Sequence, residues 1–273
     1  MSGTGIIGGG FVVRGVGSEW VVRAVGDFNT DGRSDVLWQD TNTGDVAIWL
    51  MEGTTIKTGG YVIRGMPGEW EFTASGDFNG DGNTDIVWRN TVNGNAYLWL
   101  MDGATISGAG YIVRGMASEW TVKATGDLDG DGKADIIWQD ATNGDVAAWL
   151  MSGAGMSAGN YIARGIAGGW QIRAVEDFDG DGKADLLWQD TTTGDVAIWL
   201  MNGLSITGGG YAARGVPGNW RLRVVADYSG DGKADLLWQD TTTGDVAIRL
   251  MDGTKTTVSG YAAHGLGSEW EVR

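Results

Sequence analysis

The nine residues Asp27-Phe-Asn29-Thr-Asp31-Gly-Arg33-Ser-Asp35 put oxygen-bearing side chains at loop positions one, three, five and nine. Such a set wraps a hard cation, with the main-chain carbonyl of position seven, here Arg33, as a further ligand. Glycine at position six supplies the sharp turn that wrapping requires. The loop recurs as Asp77, Asn79, Asp81, Asn83 and Asp85, and again as Asp127, Asp129, Asp131, Lys133 and Asp135. A fourth copy holds Asp177, Asp179, Asp181, Lys183 and Asp185, and a fifth Asp227, Ser229, Asp231, Lys233 and Asp235. At position seven the carbonyl is the expected ligand, whatever the side chain. With no cysteine and one histidine in the chain, the donors are oxygens, which suit Ca²⁺ rather than a transition metal. The expectation is about five calcium ions, one per loop.

An EF-hand needs a bidentate Glu at position twelve and helical flanks. Here position twelve is Trp38, Trp88, Trp138, Trp188 or Trp238. A polar hairpin closed by Asx turns, without an ion, would use similar residues. Five copies in register favour the cation, because each empty loop would hold three or four carboxylates in mutual repulsion. The fifth loop is expected to be weaker, since Ser229 offers no carboxylate.

The elements that position these loops follow from a strict repeat. Trp20, Trp70, Trp120, Trp170, Trp220 and Trp270 stand 50 residues apart without insertion or deletion. Each unit reads as four strands. In the first, strand A is Trp20–Val25, with Trp20, Val22 and Ala24 expected on one face. Strand B is Asp35–Gln39, strand C Val46–Met51 and strand D roughly Lys57–Arg64. Each loop is therefore an A–B hairpin. No segment carries a helical period, so the prediction is an all-β propeller of five four-stranded blades. One domain over residues 1–273 is expected, with units near 20–69, 70–119, 120–169, 170–219 and 220–268. Residues 1–19 and 269–273 would close it; a six-bladed or strand-exchanged closure using these terminal strands is the alternative.

At these residues the chain resembles the FG-GAP/VCBS repeat family, which includes integrin α-subunit head domains, secreted bacterial proteins and fungal lectins. The shared pattern is Gly-Asp-Phe-Asn-Gly-Asp-Gly-x-x-Asp followed by an apolar strand, as at residues 76–88. The resemblance implies a propeller with calcium in the A–B hairpins. The Phe-Gly and Gly-Ala-Pro signatures are absent, strand B ending Leu-Trp-Gln-Asp instead.

Strand alternation puts the B–C turns and D–A connections at the end of each blade opposite the acidic loops. That end carries Gln39, Asp40, Asp45, Arg64, Glu69 and Trp70, with Arg114, Trp120, Arg164, Trp170, Arg214 and Trp220 in later copies. An indole beside planar polar groups suits a sugar, whose C–H face stacks on the ring. Packing of the Trp and an Arg–Asp40 pair form the structural alternative. The second unit, with Arg89, Asn90 and Asn95, is expected to present a basic rim there.

Net charge is −16 and pI near 4.3, which excludes the basic face that nucleic acid needs. No apolar run is long enough to span a membrane, and no signal peptide is evident in this chain. The sequence hardly breaks its own symmetry and offers no acid–base constellation, so an enzyme is not expected. Three readings remain: a multivalent carbohydrate-binding lectin, a module binding a cell-surface protein, or a symmetric scaffold without a ligand. A secreted, extracellular setting is expected.

Overall fold

A computed structural model describes residues 12–267. Twenty strands form five antiparallel sheets of four, each in sequence order, and no helix occurs among the described residues. The first blade is β1 (Trp20–Gly26), β2 (Asp35–Asp40), β3 (Val46–Glu52) and β4 (Thr55–Ile63). The second is β5 (Trp70–Gly76), β6 (Asp85–Asn90), β7 (Ala96–Asp102) and β8 (Thr105–Val113). The third is β9 (Trp120–Gly126), β10 (Asp135–Asp140), β11 (Val146–Ser152) and β12 (Gly155–Ala163). The fourth is β13 (Trp170–Glu176), β14 (Asp185–Asp190), β15 (Val196–Asn202) and β16 (Ser205–Ala213). The fifth is β17 (Trp220–Ala226), β18 (Asp235–Asp240), β19 (Val246–Asp252) and β20 (Lys255–Ala263). The fold class is the expected one, an all-β propeller of five four-stranded blades. Residues 12–19 contain only the first residues of a turn into β1 and no strand. The rest of the expected closing segments, 1–11 and 269–273, lie outside the described residues.

Pairing register gives every blade two unlike faces. In the first blade Val22 pairs with Trp38, Trp38 with Ala47, Val36 with Trp49, and Ala47 with Tyr61. These residues share an aromatic face. Leu37, opposite Ile48, lies on the other, aliphatic face. Strand A does not alternate as expected. A bulge at residue 23 moves Ala24 opposite Leu37, so Val22 and Ala24 point to opposite faces. The same shift recurs in the second, fourth and fifth blades, between Phe72 and Ala74, Ile172 and Ala174, and Leu222 and Val224.

The chain forms two compact units, and the third blade contributes to both. In the unit holding the first two blades, aliphatic Leu37, Ile48 and Leu50 pack with the aromatic Trp88, Trp99 and Trp70. In the unit holding the last two, Leu187, Ile198 and Leu200 pack in the same way with Trp238 and Trp220. Burial of these side chains, at ~1.5–3 kcal/mol each, is the main favourable term. The B–C turn needs glycine: Gly44 has φ 75°, and a side chain there would collide with the Met66 carbonyl.

Candidate metal centres

Each acidic loop leaves strand A, folds back over its own carboxylates and enters strand B. The position-one carboxylate organises the turn. Asp177 Oδ1 accepts the N–H groups of Asp179 (3.2 Å) and Gly180 (2.6 Å), and Oδ2 accepts that of Gly182 (2.8 Å). Gly180 and Gly182 both have positive φ, 80° and 82°. In the first loop position four is Thr30, held at φ 55°, a costly conformation for a β-branched residue. Its hydroxyl donates to Asn83 Oδ1 of the next loop at 2.7 Å.

The position-nine carboxylate is buried and joins three segments. Asp185 is 1% exposed; its Oδ2 accepts the Phe178 N–H (3.0 Å) and its Oδ1 the Met201 N–H (2.8 Å) on β15. Asp35, Asp85 and Asp235 accept equivalent N–H groups from both sides. Burial, opposed by these hydrogen bonds and reinforced by the nearby Asp179 and Asp177 charges, pushes the Asp185 carboxyl up to about 7. Asp85 is pushed up to about 6 by burial, with Asp81 and Asp77 adding to it. A buried carboxyl raised further by neighbouring carboxylates marks a site short of positive charge.

In the fourth loop Asp177, Asp179 and Asp185 present oxygens within 4.8 Å of one another, and Asp127, Asp129 and Asp135 of the third hairpin do likewise. Position five departs from expectation. Asp181 Oδ1 accepts the Lys183 N–H and Oδ2 the Lys183 ammonium, both at 2.9 Å, and Asp181 does not join the cluster. A salt bridge within the loop thus competes with the cation for that carboxylate; Lys133 holds Asp131 in the same way at 2.6 Å. Arg33 lies 3.7 Å from Asp31 and 3.6 Å from Glu52. In the first and second loops Asn29 and Asn79 donate to Asp31 and Asp81 (3.4 and 2.8 Å). The fifth loop is looser. Tyr228, 37% exposed, stands where Phe178 is fully buried, and Ser229 turns its hydroxyl to Asp227 at 3.4 Å. Its Lys233 pairs with Asp252 at 2.5 Å rather than with Asp231.

At the opposite end of each blade most of the expected ligand set is engaged in structure. Asp40 Oδ1 caps the B–C turn, accepting from Asn42 (2.8 Å) and Thr43 (2.9 Å), and these bonds hold its carboxyl below the usual range. Gln39 accepts from Arg23 at 2.8 Å, Asp45 from the Gly65 N–H at 2.8 Å, and the Glu69 carbonyl from the Thr91 N–H at 2.8 Å. The basic rim expected in the second blade is not formed. Arg89 turns into the D–A connection and donates to the carbonyls of Trp120, Met116 and Ala117. Arg64, Arg114, Arg164 and Arg214 each lie 3.8 Å over a tyrosine, Tyr61, Tyr111, Tyr161 and Tyr211. Arg164 also pairs with Asp145 at 3.2 Å. Trp70 sits edge-on to Tyr97 at 6.2 Å, while Trp170 and Trp220 lie tilted 6.2 and 6.4 Å from Tyr211 and Tyr261. Sequence reading missed these tyrosines, although Tyr-x-x-Arg repeats at the same 50-residue period.

Fold and loops together define a repeat β-propeller whose third and fourth A–B hairpins gather carboxylates that could hold a cation. The chain belongs to the FG-GAP-like repeat family, whose model matches residues 27–88, 77–138, 127–188 and 177–238. No curated protein matches it in sequence. Among solved structures it is similar to a chain of the nidogen/laminin complex, with TM-score 0.50, 15% identity and coverage of 80% of this chain and 74% of that one. It is also similar to the calcium-binding protein regucalcin from Agrobacterium tumefaciens, with TM-score 0.50, 11% identity and coverage of 88% and 73%. A post-proline cleaving enzyme from Rickettsia typhi gives TM-score 0.51 at 10% identity, covering 90% of this chain and 37% of that one. At such identities the likeness is one of fold.

Proposed function

We propose that this protein is a calcium-stabilised, multivalent carbohydrate-binding module of the extracellular space, and not an enzyme. The observation that carries the calcium reading is the convergence of Asp177, Asp179 and Asp185, with the buried Asp185 carboxyl pushed up to about 7 by burial and its neighbours' charges. Oxygen donors alone, in a tight loop, fit a hard cation. Positions one, three and nine would hold the ion, and position five would join on release from its lysine. Bound there, calcium supplies charge neutralisation and fixes the hairpin. Extracellular modules use calcium at weak sites of ~10⁻⁴–10⁻³ M, which suits loops with one or two amide or hydroxyl substitutions.

Binding rather than catalysis is supported by the symmetry. The lone histidine, His264, takes the place of the repeated arginine beside Tyr261, 3.3 Å from Asp245, and has no nucleophile as partner there. Carbohydrate is favoured by aromatic rings repeated from blade to blade, since repeated weak sites gain by avidity. A protein ligand is the second reading, for which the exposed Tyr–Arg pairs are suited. A glycan array with calcium and with EDTA tests the proposal: calcium-dependent glycan binding supports it, and a blank array beside capture of a defined protein overturns the carbohydrate reading. A melting temperature unchanged by EDTA would overturn the calcium reading.

A further inference from the structure

Strand A is an edge of every sheet, and in the second compact unit the edge strands β13 and β17 of successive blades lie side by side. Their side chains are unlike those of the acidic chain around them. β13 carries Arg173, and β17 carries Arg221 and Arg223. The bulge between Ile172 and Ala174 turns Arg173 out of the strand's alternation, and the bulge between Leu222 and Val224 does the same for Arg223. Arg173 Nε donates to Gln189 Oε1 at 3.1 Å, and Arg223 Nε to Gln239 Oε1 at 3.1 Å. The first blade repeats the arrangement with Arg23 Nε on Gln39 at 2.8 Å. The second blade loses both halves together, with Thr73 and Arg89 at these positions, so arginine and glutamine act as a pair.

Gln189 takes only the Nε proton. The two terminal nitrogens of Arg173 are left as a fork whose direction the amide fixes. Neither Arg173 nor Arg221 makes an ion pair among the described residues, in a chain with 35 acidic and 19 basic side chains. The acid on these two strands, Glu176, stands at the loop end of β13 and also makes no ion pair among the described residues. Arg173 is reached by solvent, yet its surroundings partly desolvate it. Burial, with the Arg221 charge adding to it, holds its guanidinium below the usual arginine range. Two like charges held close without a carboxylate are unfavourable until an anion neutralises them. The doubling is particular to this seam: in the second blade the equivalent of Arg221 is Glu71, opposite Arg89 as Arg221 is opposite Gln239.

We propose that Arg173 and Arg221, at the seam of the fourth and fifth blades, bind a tetrahedral oxyanion, either free or carried as an ester on a saccharide. The Arg173 fork takes two oxygens, and Arg221 on the neighbouring strand takes a third, which a planar carboxylate does not offer. The site uses no loop carboxylate and rests on neither the calcium nor the carbohydrate reading.

The repeat itself supplies the variants. Arg173→Thr copies Thr73 and Arg221→Gln copies Gln171, residues that other blades already hold at these positions. Sodium sulfate is titrated against the calcium-loaded full chain by calorimetry at fixed ionic strength, with sodium chloride as the control, and the arginine Nε–H resonances are followed by NMR. The wild type should bind sulfate and shift the Arg173 resonance. Each substitution should weaken binding about tenfold, the worth of one charge-assisted pair. Arg173→Lys, which keeps the charge without the fork, should lose most of the affinity as well. A sulfate response no different from that to chloride, or variants that bind sulfate as the wild type does, overturns the site. If a variant melts abnormally, Gln189→Glu decides: a carboxylate set against Arg173 should abolish sulfate binding, and unchanged binding overturns the proposal. Glucose 6-sulfate, titrated beside glucose, separates the two sources. Tighter binding of the ester than of sulfate assigns the site to an esterified saccharide, and binding no tighter assigns it to the free ion; either supports the site.

Discussion

Asp185→Asn separates the structural work of a loop carboxylate from its work on a cation. In calcium-free protein near pH 8 two effects oppose. Asn has one carbonyl oxygen, so either the Phe178 or the Met201 N–H loses its acceptor, at a cost of ~1–3 kcal/mol. The substitution also removes a charge that the fold disfavours. A carboxyl pushed up to about 7 is destabilised when ionised by up to roughly 4 kcal/mol, an upper figure because relaxation reduces it. The two nearly cancel, and the melting temperature in EDTA should move by no more than a few degrees. In calcium at a hundredfold excess over Kd, the wild type gains ~2.7 kcal/mol from this site and the variant does not. At ~2–4 °C per kcal/mol, the variant should melt roughly 5–10 °C below wild type in calcium. The pH dependence has a definite sign. The folded state holds the Asp185 proton more tightly than the unfolded chain, so this group's contribution is most favourable below about pH 4 and declines as pH rises to about 7. Calcium affinity should rise across that window, because uptake expels the proton. Parallel thermal melts in calcium and EDTA, from acid to mildly alkaline pH, measure both. An equal drop in the two media would refute the reasoning, leaving Asp185 a backbone clasp alone.

Thr30→Gly should raise the melting temperature by a few degrees, since relief of a strained φ, at ~1–3 kcal/mol, exceeds the loss of an exposed hydrogen bond to Asn83 and the added flexibility of glycine. A lower denaturation midpoint would count against this. Ser229→Asp should strengthen the fifth site severalfold in a calcium titration by restoring a carboxylate at position three; unchanged affinity would mean that the exposed Tyr228, not Ser229, weakens that loop. Trp188→Phe should change stability by about 1 kcal/mol or less. The buried indole N–H has no acceptor among the described residues, so its removal recovers ~1–3 kcal/mol against lost packing. A loss above about 3 kcal/mol in urea would show a bond that this geometry lacks.

Blade count, strand order and loop position were legible because the period never slips and Trp, Gly and Asp recur at fixed offsets. The bulge at residue 23 was not, since Trp20, Val22 and Ala24 satisfy a period of two and nothing in their types marks the extra residue. Side-chain choice among equivalent partners was also invisible. Asp181 reads as a ligand in the motif, yet Lys183 two positions later reaches it at 2.9 Å. Arg89 reads as a basic rim, yet two carbonyls of the D–A connection and that of Trp120 at the start of β9 draw it inward. The pairing of rings with small residues needed the register, because only cross-strand pairing shows that Ala197 and Gly209 stand beside indoles rather than merely near them in sequence.

The loops are also joints between consecutive blades, which gives a physical reason for repeating them. Within one compact unit the Asp27 carbonyl accepts the Thr84 N–H at 2.6 Å and the Asp77 carbonyl that of Ala134 at 2.5 Å. Within the other, Asp127 and Asp177 accept from Ala184 and Ala234 at 2.6 and 2.7 Å. The position-two carbonyl does the same for the next C–D turn: Phe28, Phe78, Leu128 and Phe178 accept the N–H groups of Gly103, Gly153, Gly203 and Gly253 at 2.7–2.8 Å. A carbonyl is a good acceptor only while its peptide is held still. Positions one and two are the first peptides a cation would fix, because the carboxylate of position one is its first ligand. Binding energy spent on ordering the hairpin therefore reaches the seam between blades through the main chain. Apolar packing of an aliphatic face on an aromatic one sets the distance between blades, and the loop carbonyls set their register.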